Sequence, residues 1–283
     1  MKYASFMLIT AAMIARSVLA ASPTDDAIFA ARQALARGDA AAALNLASKA
    51  VDGDPKDPAP YSARAAIYEA RREFGKAVDD YSRVIELSPD SIVAHERRGE
   101  DQFRLGHFTE SVADFDKVIA LQPSREPYHW QRGISLYYAG EFQRGAKQFE
   151  THKTVNPEDV ENAVWHYLCV ARTAGIAEAR KELIPIRSDS RIPMMQVYAM
   201  FEGKAKPDDV LNAAKAGNPG EAELAERLFY AHLYIGLYLE AAGQTEAARQ
   251  HIRLAADKYA DNGYMGDVAR VHAAVLKRAA DAK

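Results

Sequence analysis

The chain has one cysteine, Cys169, so no internal disulfide can brace the fold. Its apolar neighbours Leu168 and Val170 mark it as a small buried core residue rather than an activated thiol. Runs of alternating β-branched residues are missing, which removes a sheet from consideration. No stretch reaches the roughly 18 consecutive apolar residues of a membrane-spanning helix. Positive charge is not in excess: 36 lysines and arginines face 39 aspartates and glutamates. That balance argues against nucleic acid, whose binding rests on clustered cations set against phosphate. Arg71-Arg72 and Arg97-Arg98 are isolated pairs that read as solvated helix faces. Catalytic signatures are missing too, with no HExxH and no GxSxG. Residues 140–147, GEFQRGAK, have the glycines of a phosphate loop but neither the Ser/Thr after lysine nor a preceding strand. No group of histidine, cysteine and carboxylate has metal-ligand spacing. The expectation is therefore a chain with no enzymatic activity, no cofactor and no metal.

What is present is a period. Pro55, Pro89, Pro123 and Pro157 stand 34 residues apart, which divides the chain into units at 24–57, 58–91, 92–125 and 126–159. The eighth position of each unit is small: Ala31, Ala65, Gly99, Gly133. So is the twentieth: Ala43, Ala77, Ser111, Gly145. The twenty-fourth is large in three of four: Ala47, Tyr81, Phe115, Phe149. Gly106 and Gly140 share a turn phase, and the prolines end the second helix of each unit because proline lacks the N–H and clashes with the preceding turn. His95 and His129 share the fourth position, where partly buried packing is expected.

Several positions per repeat over about half the chain make it resemble the tetratricopeptide repeat (TPR) family. The resemblance implies an all-α, right-handed solenoid of antiparallel helix pairs. Unit 1 is the least typical, with alanine at most large positions. Residues 160–220 read as a degenerate, irregular helical region. Residues 158–175 look like another first helix and 176–183 like a short second one. Two further short helices are expected at 193–203 and 207–217, because Pro193 and Pro207 suit a first helical position. Asn218-Pro219-Gly220 is a turn, and residues 221–283 hold a final unit with Gly236, Ala248 and Ala255 at small positions. Residues 265–283 form an amphipathic helix expected to cap the solenoid.

Residues 1–20 read as a secretory signal peptide: Lys2, the apolar run Phe6–Ala15, then Val18-Leu19-Ala20 at a cleavage site. Its removal leaves 34 cations against 39 anions, and a mature chain starting at Ala21 or Ser22. No cysteine at that site offers a lipid attachment point. The expected location is the periplasm of a Gram-negative bacterium.

In TPR arrays the first helices line a concave groove, and carrying that frame over selects Arg32, Glu69, Glu96, Glu100, Phe103, Arg104, Trp130, Tyr137, Tyr138, Trp165 and Arg172 as partner-binding residues. The competing reading makes Trp130, Trp165 and the tyrosines inter-repeat core. Positions 5 and 9 are Ile28/Arg32, Ser62/Ala66, Glu96/Glu100 and Trp130/Ile134, so the Lys/Asn clamp of chaperone-binding TPR domains is not implied. The layout, with YAHLYIGLYLEAAGQTEAARQHIRLA at 230–255, resembles exported bacterial TPR proteins of the new-lipoprotein-I type. The resemblance implies a noncatalytic adaptor in the cell envelope that binds protein or peptide partners and can dimerise. The alternative is a stable structural assembly factor of an envelope or secretion complex.

Overall fold

The computed structural model describes residues 23–281, apart from residue 262. The expected signal segment lies outside the described residues. Among those described the chain is helical with no strand. It begins with three antiparallel helix pairs: α1 (Pro23–Ala36) with α2 (Ala40–Gly53), α3 (Pro58–Ala70) with α4 (Phe74–Leu87), and α5 (Ile92–Leu105) with α6 (Phe108–Leu121). Each helix packs on the one before it and the one after it. Local signals set the boundaries. The Asp39 carboxylate accepts from the Ala42 amide at 2.9 Å to start α2, and Asp57 caps α3 with Pro58 in its first turn. Gly106, at φ 80°, ends α5 in the left-handed conformation.

Two contacts, each between residues 16 apart, close a helix pair. The first is steric. A Cβ on Gly99 would lie 3.0 Å from Phe115 Cε1, and one on Gly133 would lie 2.6 Å from Phe149 Cζ. The eighth position is small because the twenty-fourth lies directly on it. The second is polar and corrects the reading of Arg98 as a solvated residue. Arg98 holds Asp114 through Nε at 2.8 Å and Nη2 at 2.7 Å, and Arg64 holds Asp80 in the same way. Arg132 reaches Gln148 Oε1 at 2.7 Å in the next unit. A two-point guanidinium–carboxylate bond fixes orientation as well as distance. His95 joins this set, its Nδ1 2.9 Å from Asp114 Oδ1 and its Nε2 3.0 Å from the Pro89 carbonyl oxygen.

Unit 4 departs from the expected register. Residues Pro123–Tyr128 form a 3₁₀ turn, and the first helix starts only at α7 (Trp130–Tyr138), followed by α8 (Phe142–His152). Pro123 and Pro127 have no N–H to give a regular first turn. The carbonyls left over are used from α8: Gln148 Nε2 donates to the Glu126 oxygen at 2.7 Å, and His152 Nδ1 lies 2.8 Å from the Pro127 oxygen.

The irregular region comprises α9 (Val160–Ala174), α10 (Ile176–Lys181), α11 (Met194–Phe201) and α12 (Pro207–Lys215). Pro193 falls just outside α11 rather than at its first position. Asn162 to Val170 are buried without interruption, because α9 is enclosed by α7, α8, α10, α11 and α13 (Glu221–Ala241). Then α14 (Thr245–Arg253) runs into a π turn at Leu254–Tyr259. A Cβ on Gly236 would meet Ile252 Cδ1 at 2.6 Å, again 16 residues on, so the last unit keeps the crossing rule of units 3 and 4. The main core runs from Phe103 to Leu276, whereas units 1 and 2 hold small separate clusters, one of them built on Ala31, Ala34, Ala43 and Ala47. The final helix, α15 (Tyr264–Asp281), packs on α14 and its π turn, and it also reaches back to α5.

Gly133→Leu forces a side chain into the Phe149 ring and should destabilise the chain by about 1–3 kcal/mol or more. Gly75→Ala, with nothing within 4 Å of its Cβ, should not. Thermal melts of both variants, followed by circular dichroism, check the pair.

Candidate functional site

The inner face of units 3 and 4 is aromatic, and α15 lies against it. Phe103 on α5 has no exposed surface; it stacks on Tyr264 of α15 with ring centres 5.5 Å apart and packs against Tyr138 at the same separation. Trp130 meets Tyr264 edge-on at 5.1 Å. Tyr138 lies 2.9 Å from His272 Nδ1 through its hydroxyl, and His272 Nε2 is 2.8 Å from Glu240 of α13. Tyr137 and Trp165 are buried and meet edge-on at 5.5 Å. Phe103, Tyr137 and Trp165 are therefore interior residues in this structure; the competing core reading describes Tyr137 and Trp165, and Phe103, expected in the groove, is interior as well. Burying aromatic rings is worth more than leaving them as an open groove, and α15 supplies the cover.

The charged positions of the same face meet a carboxylate from α15. Asp267 is buried and accepts from Arg72 at 2.5 Å, Arg104 at 2.9 Å and Arg270 at 3.2 Å. Arg104 also donates to Asp101 at 2.7 Å and lies 3.5 Å from Glu100. Arg72, read from sequence as a solvated residue, is instead a partner of the last helix. The acids around Arg104 outnumber it. Burial, reinforced by Glu69, pushes the Asp101 carboxyl up to about 7 against the pull of Arg104. Burial raises Glu69 and Glu100 as well. Glu69 Oε1 and Asp101 Oδ2 are buried without a hydrogen-bond partner.

The remaining predicted positions are scattered. Arg32 is exposed on α1, far along the solenoid from the aromatic face. Glu96 accepts from Arg125 at 2.6 Å. Arg172 is exposed and lies over the Phe142 ring at 5.2 Å. His129 is buried against Phe115, and burial, with Arg125 and Arg132 nearby, lowers its pKa to about 4. Burial raises the Cys169 thiol, which keeps it protonated and inert. Among the described residues no cluster of histidine, cysteine and carboxylate could hold a metal ion, and no helix is long and apolar enough to cross a membrane.

One part of the inner face stays open, where α15 leaves it. A cavity of about 150 Å³ lies between Trp130 and Trp165, floored by Ile134 and Phe149 and edged by Asp159, Glu161 and Asn162. Beside it, sharing Trp130, Glu161 and Met265, runs a groove of about 670 Å³. Its walls are Phe229 and Tyr230 of α13, Tyr259 and Tyr264, with Glu226 and Asp261 at the edge. Repeat-position reasoning found Trp130 and Trp165 but missed Tyr230, Glu161, Tyr264 and Asp267. The one available signal was an acid, Asp267, next to Val268 in the apolar stripe of the last helix.

Asp267→Ala takes the carboxylate from Arg104, whose side chain is mostly enclosed, while Arg72 and Arg270 can turn to water; it should lower unfolding stability in urea titrations by up to about 3 kcal/mol. Asp101 gives a pH test. Its folded value of about 7 stands above the ordinary 3.8, so the folded chain keeps a proton that the unfolded chain releases. The resulting stability is present below about pH 4 and lost as pH rises through about 7. Asp101→Asn should remove that loss, so the melting temperature at pH 8 should gain on the parent chain relative to pH 5.

No protein-family profile matches the chain. A stretch of 68 residues, 24% of the chain, is 40% identical to DnaJ homolog subfamily C member 3 of Rattus norvegicus, and the match spans only 14% of that protein. Among solved structures, a tetratricopeptide repeat protein from Parabacteroides merdae superposes with a TM-score of 0.57 at 16% identity, covering 90% of this chain and 98% of that one. MamA gives 0.53 at 15% identity, covering 64% and 92%. MamA from Desulfovibrio magneticus RS-1, from residue 41 to its end, gives 0.51 at 16% identity, covering 56% and 89%. These likenesses establish the fold, an all-α tetratricopeptide-repeat solenoid.

Proposed function

We propose that this tetratricopeptide-repeat chain is an exported, noncatalytic adaptor that binds protein partners in the cell envelope, and that the contact surface is the groove lined by Trp130, Phe229, Tyr230 and Tyr264. The observation that carries the reading is that this groove remains open while the rest of the aromatic inner face is covered by α15. Stacked helical repeats present extended concave surfaces to other macromolecules. Binding energy concentrates at aromatic anchors, and five of them, Trp130, Phe229, Tyr230, Tyr259 and Tyr264, line this groove beside Met265. The noncatalytic reading is supported by how the nearby polar groups are used. Arg191 is bound to Glu161 at 2.5 Å and Asp159 at 2.7 Å, and Glu161 also accepts from Tyr234, so these groups hold elements together. Export rests on the character of residues 1–20.

A segment docked in a groove of this size should bind with a Kd of about 1 μM, near −8 kcal/mol. The partner is to be captured by crosslinking in the envelope fraction and titrated against purified chain. Tyr230→Ala with Met265→Ala should weaken binding by about 1–3 kcal/mol while helicity is kept. Arg32→Ala, on the distant α1, should leave it unchanged. The opposite outcome, loss with Arg32→Ala alone, would move the site to the rim of units 1 and 2. N-terminal sequencing of the native protein should read from Ala21 or Ser22; a chain beginning at Met1 would remove the export part.

A further inference from the structure

We infer that the segment bound in this groove is basic, and that one of its lysine or arginine side chains enters the cavity between Trp130 and Trp165. The inference rests on the reading of the groove as a protein-binding surface and names the chemistry of the partner.

Charge points one way. Asp159 and Glu161 edge the cavity, Glu226 and Asp261 edge the groove, and among the described residues neither has a lysine or arginine in its wall. Arg191 binds Asp159, Glu161 and Asp189 together, and burial raises the Glu161 carboxyl. The carboxylates of Glu226 and Asp261 have no cation among the described residues of the groove wall and leave negative charge at its exposed edge. An acidic segment would be repelled here, and an uncharged one would leave the excess unanswered.

The walls suit a cation as well. Trp and Tyr faces attract ammonium and guanidinium groups through the ring quadrupole, and the attraction grows as water is excluded. A volume of about 150 Å³ gives room for the end of a long side chain, with apolar Ile134, Phe149 and Met265 for its stem and polar groups at the edge for its head.

The hydrogen-bond inventory is the most specific part. Asn162 is 3% exposed and its Nδ2 is committed to the Phe149 carbonyl at 3.0 Å, which leaves Oδ1 buried without a donor. Lysine and arginine carry only donors and match that vacancy. Trp165 is 2% exposed and its indole N–H has no acceptor. A bare amine or a metal ion cannot supply one, whereas the backbone carbonyl of a peptide can. Both residues line the cavity, and a peptide carries donors and acceptors that match them; the charge at the edge is what selects a cation. An unpaired buried polar group costs about 1–3 kcal/mol, so a ligand that answers both has a reason to bind.

The chain reports on its own site, because its two tryptophans are Trp130 and Trp165 and both line the cavity. Full-length mature protein is to be titrated with capped Gly-Ser-Xaa-Ser-Gly peptides in which Xaa is arginine, lysine, citrulline, norleucine or glutamate, following tryptophan emission. Arginine and lysine peptides should shift the emission saturably, and citrulline and norleucine peptides should bind at least about tenfold more weakly, a difference of about 1.4 kcal/mol. Glutamate should give no response. Glu226→Gln with Asp261→Asn, both on the exposed edge, should weaken the arginine peptide at least about fivefold with the melting temperature unchanged. Equal binding of citrulline or norleucine, or no response to any peptide up to about 10 mM, overturns the inference. A captured partner that binds through Tyr230 with a segment lacking lysine and arginine would also overturn it, and would leave the adaptor reading standing.

Discussion

The fold depends on a buried carboxylate that cannot be left alone. Asp267 sits within the apolar stripe of the last helix, and a charge so placed needs partners or the helix cannot dock. Its partners come from three places: Arg72 in the turn between α3 and α4, Arg104 at the end of α5, and Arg270 one turn along α15 itself. The observed placement of α15 satisfies all of them. Once the helix is there, Tyr264 reaches Phe103 and Trp130, and His272 reaches Tyr138 and Glu240. The electrostatic contact selects the position, and the aromatic burial around it supplies most of the free energy.

This closure changes what the repeat array offers a partner. A bare solenoid would present the inner aromatic face of units 3 and 4 as one long groove. Here α15 takes the middle of that face, and the free surface is reduced to the space bounded by α7, α9, α13 and the start of α15. The irregular helices take part in this. Arg191, in the loop before α11, fixes Asp159 and Glu161 at the start of α9, and those acids edge the cavity. The departure from the repeat pattern between residues 160 and 220 therefore positions one wall of the site.

The architecture was legible because it is periodic. A glycine at position 133 and a phenylalanine at 149 state their contact in the spacing alone, and the same spacing locates Gly236 and Ile252 after the period has broken down. The short helices after Pro193 and Pro207 were legible from proline chemistry. The register of unit 4 was not, because Pro127 acts inside the unit rather than at its end. The site was half legible. Position in the repeat selected Trp130, Trp165 and Arg104 for the concave face; the structure lines the open groove with Trp130, buries Trp165 and binds Arg104 to Asp267 of α15. What covers them was invisible, since Arg72 and Asp267 are 195 residues apart and no local pattern links them. Charge pairs such as Arg98 and Asp114 were hidden for a related reason: a basic doublet looks the same in a sequence whether its second member is solvated or bound.

The distance along the chain between Arg72 and Asp267 has a consequence in time. Every other part of a repeat array can settle as its neighbour appears, so such molecules assemble progressively from one end. The closure by α15 is different, because the contacts it makes with α5 join segments more than 150 residues apart. While the polypeptide is being made, Phe103, Tyr138 and Trp130 wait without their cover until α15 has emerged. During that interval the nascent protein shows a sticky surface that the finished one conceals. Docking of α15 is the step that ends this exposure, so the lifetime of the sticky surface is set by how soon that helix can reach α5.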